Sequence, residues 1–164
     1  MRDQPMTLHL DDAEATAALA GQVHAVLPPD TAGWTVLLEG ELGAGKSTFA
    51  RALIKAMGHN GAVPSPTYTL VEPYQLPGRI VYHIDLYRIV DEEELRYLGW
   101  TELEDGFRLV EWPDRAPGLM AAADLRLELR YAESGRDARL EGLSARGEAL
   151  IRQIEDLACS NSQD

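Results

Sequence analysis

The chain has a single cysteine, Cys159, in 164 residues. One thiol excludes an intrachain disulfide and a zinc site built on cysteines, and its place near a polar C-terminus marks it as incidental. Lysine is almost as scarce, with Lys46 and Lys55 the only two. No apolar run reaches the roughly 18 residues of a membrane-span candidate. Met1-Arg2-Asp3-Gln4-Pro5 lacks the apolar centre of a signal peptide, so no membrane association and a cytoplasmic location are expected. Positive charge is in deficit: 15 basic against 27 acidic residues give a formal net charge of −12. Such a chain is repelled by phosphate backbones, which speaks against unaided nucleic-acid binding. What is present, 45% hydrophobic and 26% charged residues, is ordinary for a globular chain, and the length suits one domain with a real core.

One of the two lysines lies in Gly40-Glu41-Leu42-Gly43-Ala44-Gly45-Lys46-Ser47-Thr48, which reads G-x-x-x-x-G-K-[ST], the phosphate-binding P-loop pattern. The apolar run Trp34 to Leu38 before it is of strand type. The run from Phe49 to Gly58 after it has helical spacing and a glycine stop. Strand, glycine loop and helix are the context the pattern needs. Glycines let the loop close around an oligophosphate with its N–H groups pointing inward, and the helix start adds unpaired N–H groups. Gly40, Glu41, Leu42, Gly43, Ala44, Gly45, Lys46, Ser47 and Thr48 are therefore the expected phosphate contacts. Lys46 is suited to the β- and γ-phosphates, and the Ser47 hydroxyl to Mg2+.

Around this loop the sequence predicts an α/β fold, a P-loop NTPase domain over 1–157 with a mixed parallel and antiparallel sheet flanked by helices, and a disordered tail over 158–164. Thr7 to Leu10 reads as a first strand. Asp11-Asp12-Ala13-Glu14 offers an N-cap with a Glu three residues on, opening a helix to Leu27 with Leu19, Val23 and Val26 on its buried side. Two prolines, Pro64 and Pro66, force the next segment into an extended loop carrying Ser65, Thr67 and Thr69. These hydroxyls either reach the γ-phosphate, as switch loops do, or are incidental. Residues 68–75 and 79–86 read as an antiparallel hairpin. Asp85 closes its second strand where a Walker-B carboxylate would sit. His83, two residues earlier, shares its face and either supports a metal ligand or is a hydrogen-bonded core residue. Asp91 caps a short helix to Gly99, and Thr101 to Asp105 form another turn. Phe107 to Pro113 is a strand ending in Glu111, so Asp85 and Glu111 compete for, or share, the metal and water-activation roles. Asp124 to Arg130 alternates strictly and pairs with Asp137 to Leu143 as an antiparallel hairpin at the sheet's edge. Ser144 to Leu157 closes the domain as a helix. Trp34 and Trp100 read as packing residues.

Guanine recognition by an Asn-Lys-x-Asp motif is impossible, because Gly45 and Ile54 precede the two lysines; ATP is the expected nucleotide. A small-molecule kinase would want an arginine-bearing lid. The candidate lid, residues 91–106, carries Asp91, Glu92, Glu93, Glu94, Glu102, Glu104 and Asp105 against the single Arg96.

Four blocks together carry a more specific signal: Gly40 to Phe49, Ser65-Pro66-Thr67-Tyr68-Thr69-Leu70-Val71-Glu72-Pro73-Tyr74, His83-Ile84-Asp85-Leu86-Tyr87-Arg88, and Glu111-Trp112-Pro113. In order and spacing they resemble the bacterial TsaE (YjeE) family over roughly residues 7–155. Ser47 stands where that family mostly has Thr, and either hydroxyl suits Mg2+. The resemblance implies an ATPase component of the machinery that makes N6-threonylcarbamoyladenosine at position 37 of tRNAs reading codons that begin with A. It implies docking on a TsaB–TsaD pair, with TsaD transferring the threonylcarbamoyl group, ATP hydrolysis resetting the assembly, and tRNA engaged only through the partners. It further implies that Ser47 and Glu111 ligate Mg2+, that Asp85 lies near metal and attacking water, that Thr67 lies in a switch-like segment, that Trp112 lies beside the nucleotide, and that Arg136 contacts it. A small-molecule kinase and a non-hydrolytic ATP-gated binding module remain the alternatives.

Overall fold

A computed structural model describes residues 4–66 and 69–161, the side chain of Asn161 excepted. Seven strands form one sheet in the order β1-β7-β6-β2-β5-β4-β3. They are β1 Met6–Leu10, β2 Thr35–Gly40, β3 Val71–Leu76, β4 Arg79–Asp85, β5 Phe107–Glu111, β6 Leu125–Tyr131 and β7 Arg136–Gly142. The central four, β4, β5, β2 and β6, are parallel. The hairpin partner β3 runs antiparallel to β4, and β7 runs antiparallel to both β6 and β1.

Three helices cover one face: α1 Ala13–Val26, α2 Lys46–Ala56 and α3 Ala145–Asn161. α1 starts where the Asp12 carboxylate accepts the Ala15 N–H at 2.9 Å, and it ends at Leu27, whose backbone is extended, ahead of Pro28-Pro29. Leu19 and Val23 are buried as expected, while Val26 is only half-buried. Along β2 the side chains alternate: Val36 and Leu38 enter the helix-covered core with Leu19, Phe49 and Leu53, and Leu37 enters a second core on the opposite face with Ile84 and Val110. That second core is closed by the segment after β4, which folds as short 3-10 turns, including Glu92–Arg96 and Trp100–Asp105. Asp91 caps the first by accepting the Glu93 N–H at 3.0 Å, and Glu94 reaches back to the Val90 N–H at 3.3 Å. Trp34 and Trp100 pack under the guanidinium groups of Arg146 and Arg108.

Three expectations change. The hairpin of β6 and β7 is not at the edge: β6 lies inside the sheet against β2, and β1 forms that edge by pairing with β7, Leu8 opposite Ala138. The strict alternation of β6 arises because Leu125, Leu127 and Leu129 are buried under the helices while Arg126 and Glu128 point to a face the 3-10 segment leaves open. There the Arg126 guanidinium pairs with Glu39 at 2.5 Å, with Glu128 and Glu141 at 3.5 Å. Its hydrogen bond to Glu39 raises the Arg126 pKa against the opposing effect of burial. Alternation reports one covered face, not a place in the strand order. Second, α3 runs on through Asn161 rather than ending at Leu157, since no glycine or proline follows Gly147 to break it. Third, the strand expected from Tyr68 begins at Val71; Thr67 and Tyr68 lie outside the described residues, and Leu70 has a left-handed φ of 69°.

A buried carboxylate locks the helix-side layer to the sheet. Asp124 accepts the Thr35 N–H at 3.0 Å, the Ser144 hydroxyl at 2.7 Å, and Arg146 at 2.8 and 3.0 Å. Burial alone would raise the Asp124 pKa, but the hydrogen bonds from Arg146, Ser144 and Thr35 outweigh it and hold the carboxyl below its ordinary range. A depressed folded-state pKa gives stability that is fully present above the unfolded value of about 3.9 and is lost as pH falls through the folded value. Asp124→Asn is therefore expected to cost about 2–3 kcal/mol at pH 7. In urea titrations the gap to wild type should narrow below about pH 4; a gap independent of pH would contradict this account.

Candidate functional site

Parallel pairing brings the chemistry to one end of the sheet. In register, Leu38 of β2 lies opposite Glu111 of β5, and Glu111 lies opposite Asp85 of β4. The loop after β2 and both carboxylates thus meet at the C-terminal strand ends, where open α/β sheets gather ligands. The loop's tightness demands glycine at two points. Gly40 and Gly43 have φ of 152° and 81°, and an added Cβ would lie 2.6 Å from the Leu129 carbonyl oxygen and 2.7 Å from the Tyr131 hydroxyl. Gly45 precedes α2 with no side-chain cap, so the first-turn N–H groups are left to a ligand.

Lys46 is only 5% exposed. Its ammonium donates to the carbonyls of Gly40 and, at 3.4 Å, Glu41, and it sits 3.7 Å from the centroid of the Trp112 ring. Burial lowers the Lys46 pKa, while the charges of Glu111, Asp85 and Asp114 pull it back up. The Ser47 hydroxyl donates to Glu111 Oε1 at 3.2 Å, and Glu111 Oε2 lies 2.6 Å from His83 Nε2. Asp85 Oδ1 accepts the Tyr87 N–H at 2.9 Å. Trp112 holds a left-handed backbone, φ 59° and ψ 49°, which costs a non-glycine residue on the order of 1 kcal/mol. That turn brings its ring onto Lys46 and against Tyr87, centroids 5.0 Å apart, with the Arg115 guanidinium 5.5 Å from the Tyr87 ring.

A cleft of about 190 Å3 gathers Leu42, Gly43, Gly45, Lys46, Ser47, Thr48, Ser65, Asp85, Glu111 and Trp112. Gly40 and Glu41 face the other side of the loop, a wider groove of about 810 Å3 that shares Trp112 and Leu42. Ala44 is buried beneath the loop. Arg136 does not reach the cleft. It donates to the Gly43 carbonyl at 3.3 Å, stacks on Tyr131 at 4.2 Å, and lines a hollow of about 250 Å3 with Asp12 and Thr48. Thr67 lies outside the described residues. Sequence reasoning left His83 undecided and passed over Tyr131, whose hydroxyl braces the loop by donating to the Leu42 carbonyl at 2.6 Å. Only the two-residue spacing of His83 from Asp85 carried a signal; Tyr131 gave none.

The Ser47 hydroxyl and the carboxylates of Glu111 and Asp85 form an all-oxygen donor set. It suits Mg2+, which takes one or two carboxylates and keeps several waters, better than a soft metal. Among the described residues no cluster of three or more His, Cys, Asp and Glu side chains is positioned to hold a metal ion.

Comparison with known proteins fits this geometry to a family. The family model "Threonylcarbamoyl adenosine biosynthesis protein TsaE" matches residues 10–139. The chain belongs to the TsaE family. The matched span runs from the end of β1 into β7 and so includes the loop, both carboxylates, Trp112 and Arg136. Relatives named tRNA threonylcarbamoyladenosine biosynthesis protein TsaE include one from Haemophilus influenzae, 40% identical over 118 residues, 71% of this chain and 75% of the relative. Another, from a Nostoc species, is 36% identical over 139 residues, 81% and 83% of the two chains. The crystal structure of YdiB from Bacillus subtilis superposes with a TM-score of 0.74 at 25% identity, covering 96% of this chain and 98% of that one. Membership in the TsaE family places the chain in tRNA threonylcarbamoyladenosine biosynthesis, a tRNA modification. Among the described residues no helix is long and apolar enough to cross a membrane.

Proposed function

We propose that the chain is the Mg2+-dependent, ATP-binding and ATP-hydrolysing component of a TsaB–TsaD–TsaE machinery, working in the cytoplasm. The observation that carries this reading is the cleft itself, where the P-loop lysine, the Ser47 hydroxyl and two buried strand-end carboxylates converge. Lys46 and the N–H groups of residues 43–48 stabilise charge on the transferring phosphoryl group. Ser47 and Glu111 would hold Mg2+, which supplies neutralisation of the phosphate oxygens. Asp85, on the next strand, orients the attacking water. Trp112 borders the phosphate end, Arg136 braces the loop at the Gly43 carbonyl and would meet only a part of the nucleotide that extends beyond the cleft into the hollow beside Thr48, and Thr67 belongs to the switch-like segment. ATP rather than GTP follows from the missing guanine motif.

The kinase alternative loses support because the candidate lid is packed down. Leu95 and Leu103 are buried in the second core with Leu37 and Ile84, which ties that segment to the sheet. Among the described residues no arginine lines the cleft, so hydrolysis is slow alone and rises when partners complete the site. The tRNA is held by TsaB and TsaD, consistent with the net charge of −12. In a phosphate-release assay, a TsaB–TsaD pair should raise turnover by about tenfold or more, within the range of other cation-completed sites. Equal rates with and without the pair would contradict this.

A further inference from the structure

Glu111 is held at both oxygens. Oε1 accepts from Ser47 and Oε2 faces His83 Nε2 at 2.6 Å. An ionised carboxylate only accepts, so the ring nitrogen facing it is the donor. His83 is 1% exposed and Glu111 3%, so the bond is shielded from water. The other ring nitrogen, Nδ1, is buried with no hydrogen-bond partner among the described residues. Leaving a buried polar atom unpaired costs about 1–3 kcal/mol. A position serving packing alone would be filled at less cost by an apolar ring. The histidine therefore commits its single hydrogen bond to Glu111.

The consequence is orientational. Without His83, rotation about the last side-chain bond would exchange the two Glu111 oxygens and let both turn toward the loop. With it, only Oε1 faces Ser47. One of the Asp85 oxygens serves instead the turn at Tyr87.

We propose that His83 is a positioning residue: its Nε2–H fixes Glu111 so that Oε1 alone is presented, beside the Ser47 hydroxyl, to a divalent cation. The proposal rests on the reading of this cleft as a Mg2+–nucleotide site. Residues that hold metal ligands in place typically contribute about 10–100-fold to metal affinity.

The test uses the full chain with ADP present and Mn2+ as the probe, followed by electron paramagnetic resonance. His83→Asn is too short to reach Glu111 and should weaken Mn2+ binding about tenfold or more. His83→Gln carries an amide donor at the reach of Nε2 and should bind Mn2+ within about threefold of wild type, on the same scale. ADP affinity in excess chelator should be the same for all forms. Glu111→Gln serves as the control for the site. Wild-type Mn2+ affinity in His83→Asn, with affinity lost in Glu111→Gln, would overturn the positioning role and leave the site reading standing. Equal losses in the Asn and Gln variants would mark a packing role and overturn it too. Wild-type affinity in Glu111→Gln would sink the reading of Glu111 as a metal ligand, and the proposal with it. Should the Asn variant not fold, the wild-type protein decides: the buried Nε2–H should give a slowly exchanging, downfield proton resonance that shifts when Mg2+ is added with ADP. No shift would overturn the proposal.

Discussion

Lys46→Ala lowers phosphate release from Mg-ATP by about 10³-fold or more, in line with removal of a preorganised donor from a transition-state site. The effect is expected to be this large because, among the described residues, no other cationic side chain lines the cleft. The only other lysine, Lys55, lies two and a half turns along α2, near its end. Arg136 reaches Gly43 from outside the cleft, and Arg115 stacks on Tyr87. Lys46 is also only 5% exposed, and this burial, which lowers its pKa, puts its charge where it acts more strongly than it would in water. Removing it leaves Asp85 and Glu111 buried without the Lys46 charge that couples to both, so the variant should also be less stable. Lys46→Met, which keeps the stem against Trp112, should lose turnover as fully while packing better. Comparing the two by thermal denaturation and phosphate release separates charge from packing.

Glu111→Gln is the second large effect, a loss of about 10²–10³ in turnover. The substitution keeps size and removes only charge. Its amide cannot accept from Ser47 and His83 as a carboxylate does, and it binds Mg2+ poorly. Nucleotide binding without metal should survive, because the loop N–H groups and Lys46 are intact. The variant thus separates phosphate binding from metal-assisted chemistry. A Glu111→Gln protein that hydrolyses ATP like wild type would favour a metal held by Asp85 alone, whereas one that loses turnover yet still supports the machinery would favour the non-hydrolytic, ATP-gated reading. Measuring turnover over a range of Mg2+ concentrations distinguishes weakened metal binding, which excess Mg2+ restores, from lost positioning, which it does not.

The parts of this picture visible in the chain were those with local causes. The P-loop spelling dictates its own backbone, and the stretches ending in Asp85 and Glu111 read as strands from their apolar runs and breakers. Their meeting required only that both strands run parallel to β2, which the strand–loop–helix start makes natural. What stayed hidden depended on non-local packing. The place of β6 beside β2 was obscured because alternation records exposure and not neighbours. The end of α3 at Asn161 was missed because polar composition was read as disorder, whereas the absence of Gly or Pro after Gly147 lets the helix continue. The left-handed turn at Trp112, immediately before Pro113, runs against the usual extended preference of a residue preceding proline, and it is what carries the ring onto Lys46. Arg136 appeared beside a glycine turn, but its side of the loop depends on how β7 folds back past Gly43. The bond from His83 to Glu111 spans two strands far apart in the sequence, so spacing alone could offer only a shared face.

The most direct test of the central claim is steady-state phosphate release from Mg-ATP by the chain combined with a TsaB–TsaD pair, with wild type and Lys46→Ala measured side by side. The account predicts Mg2+-dependent release that the wild-type chain sustains and the Lys46→Ala chain does not. Release that persists undiminished in Lys46→Ala, or no release from the wild-type combination, would contradict it.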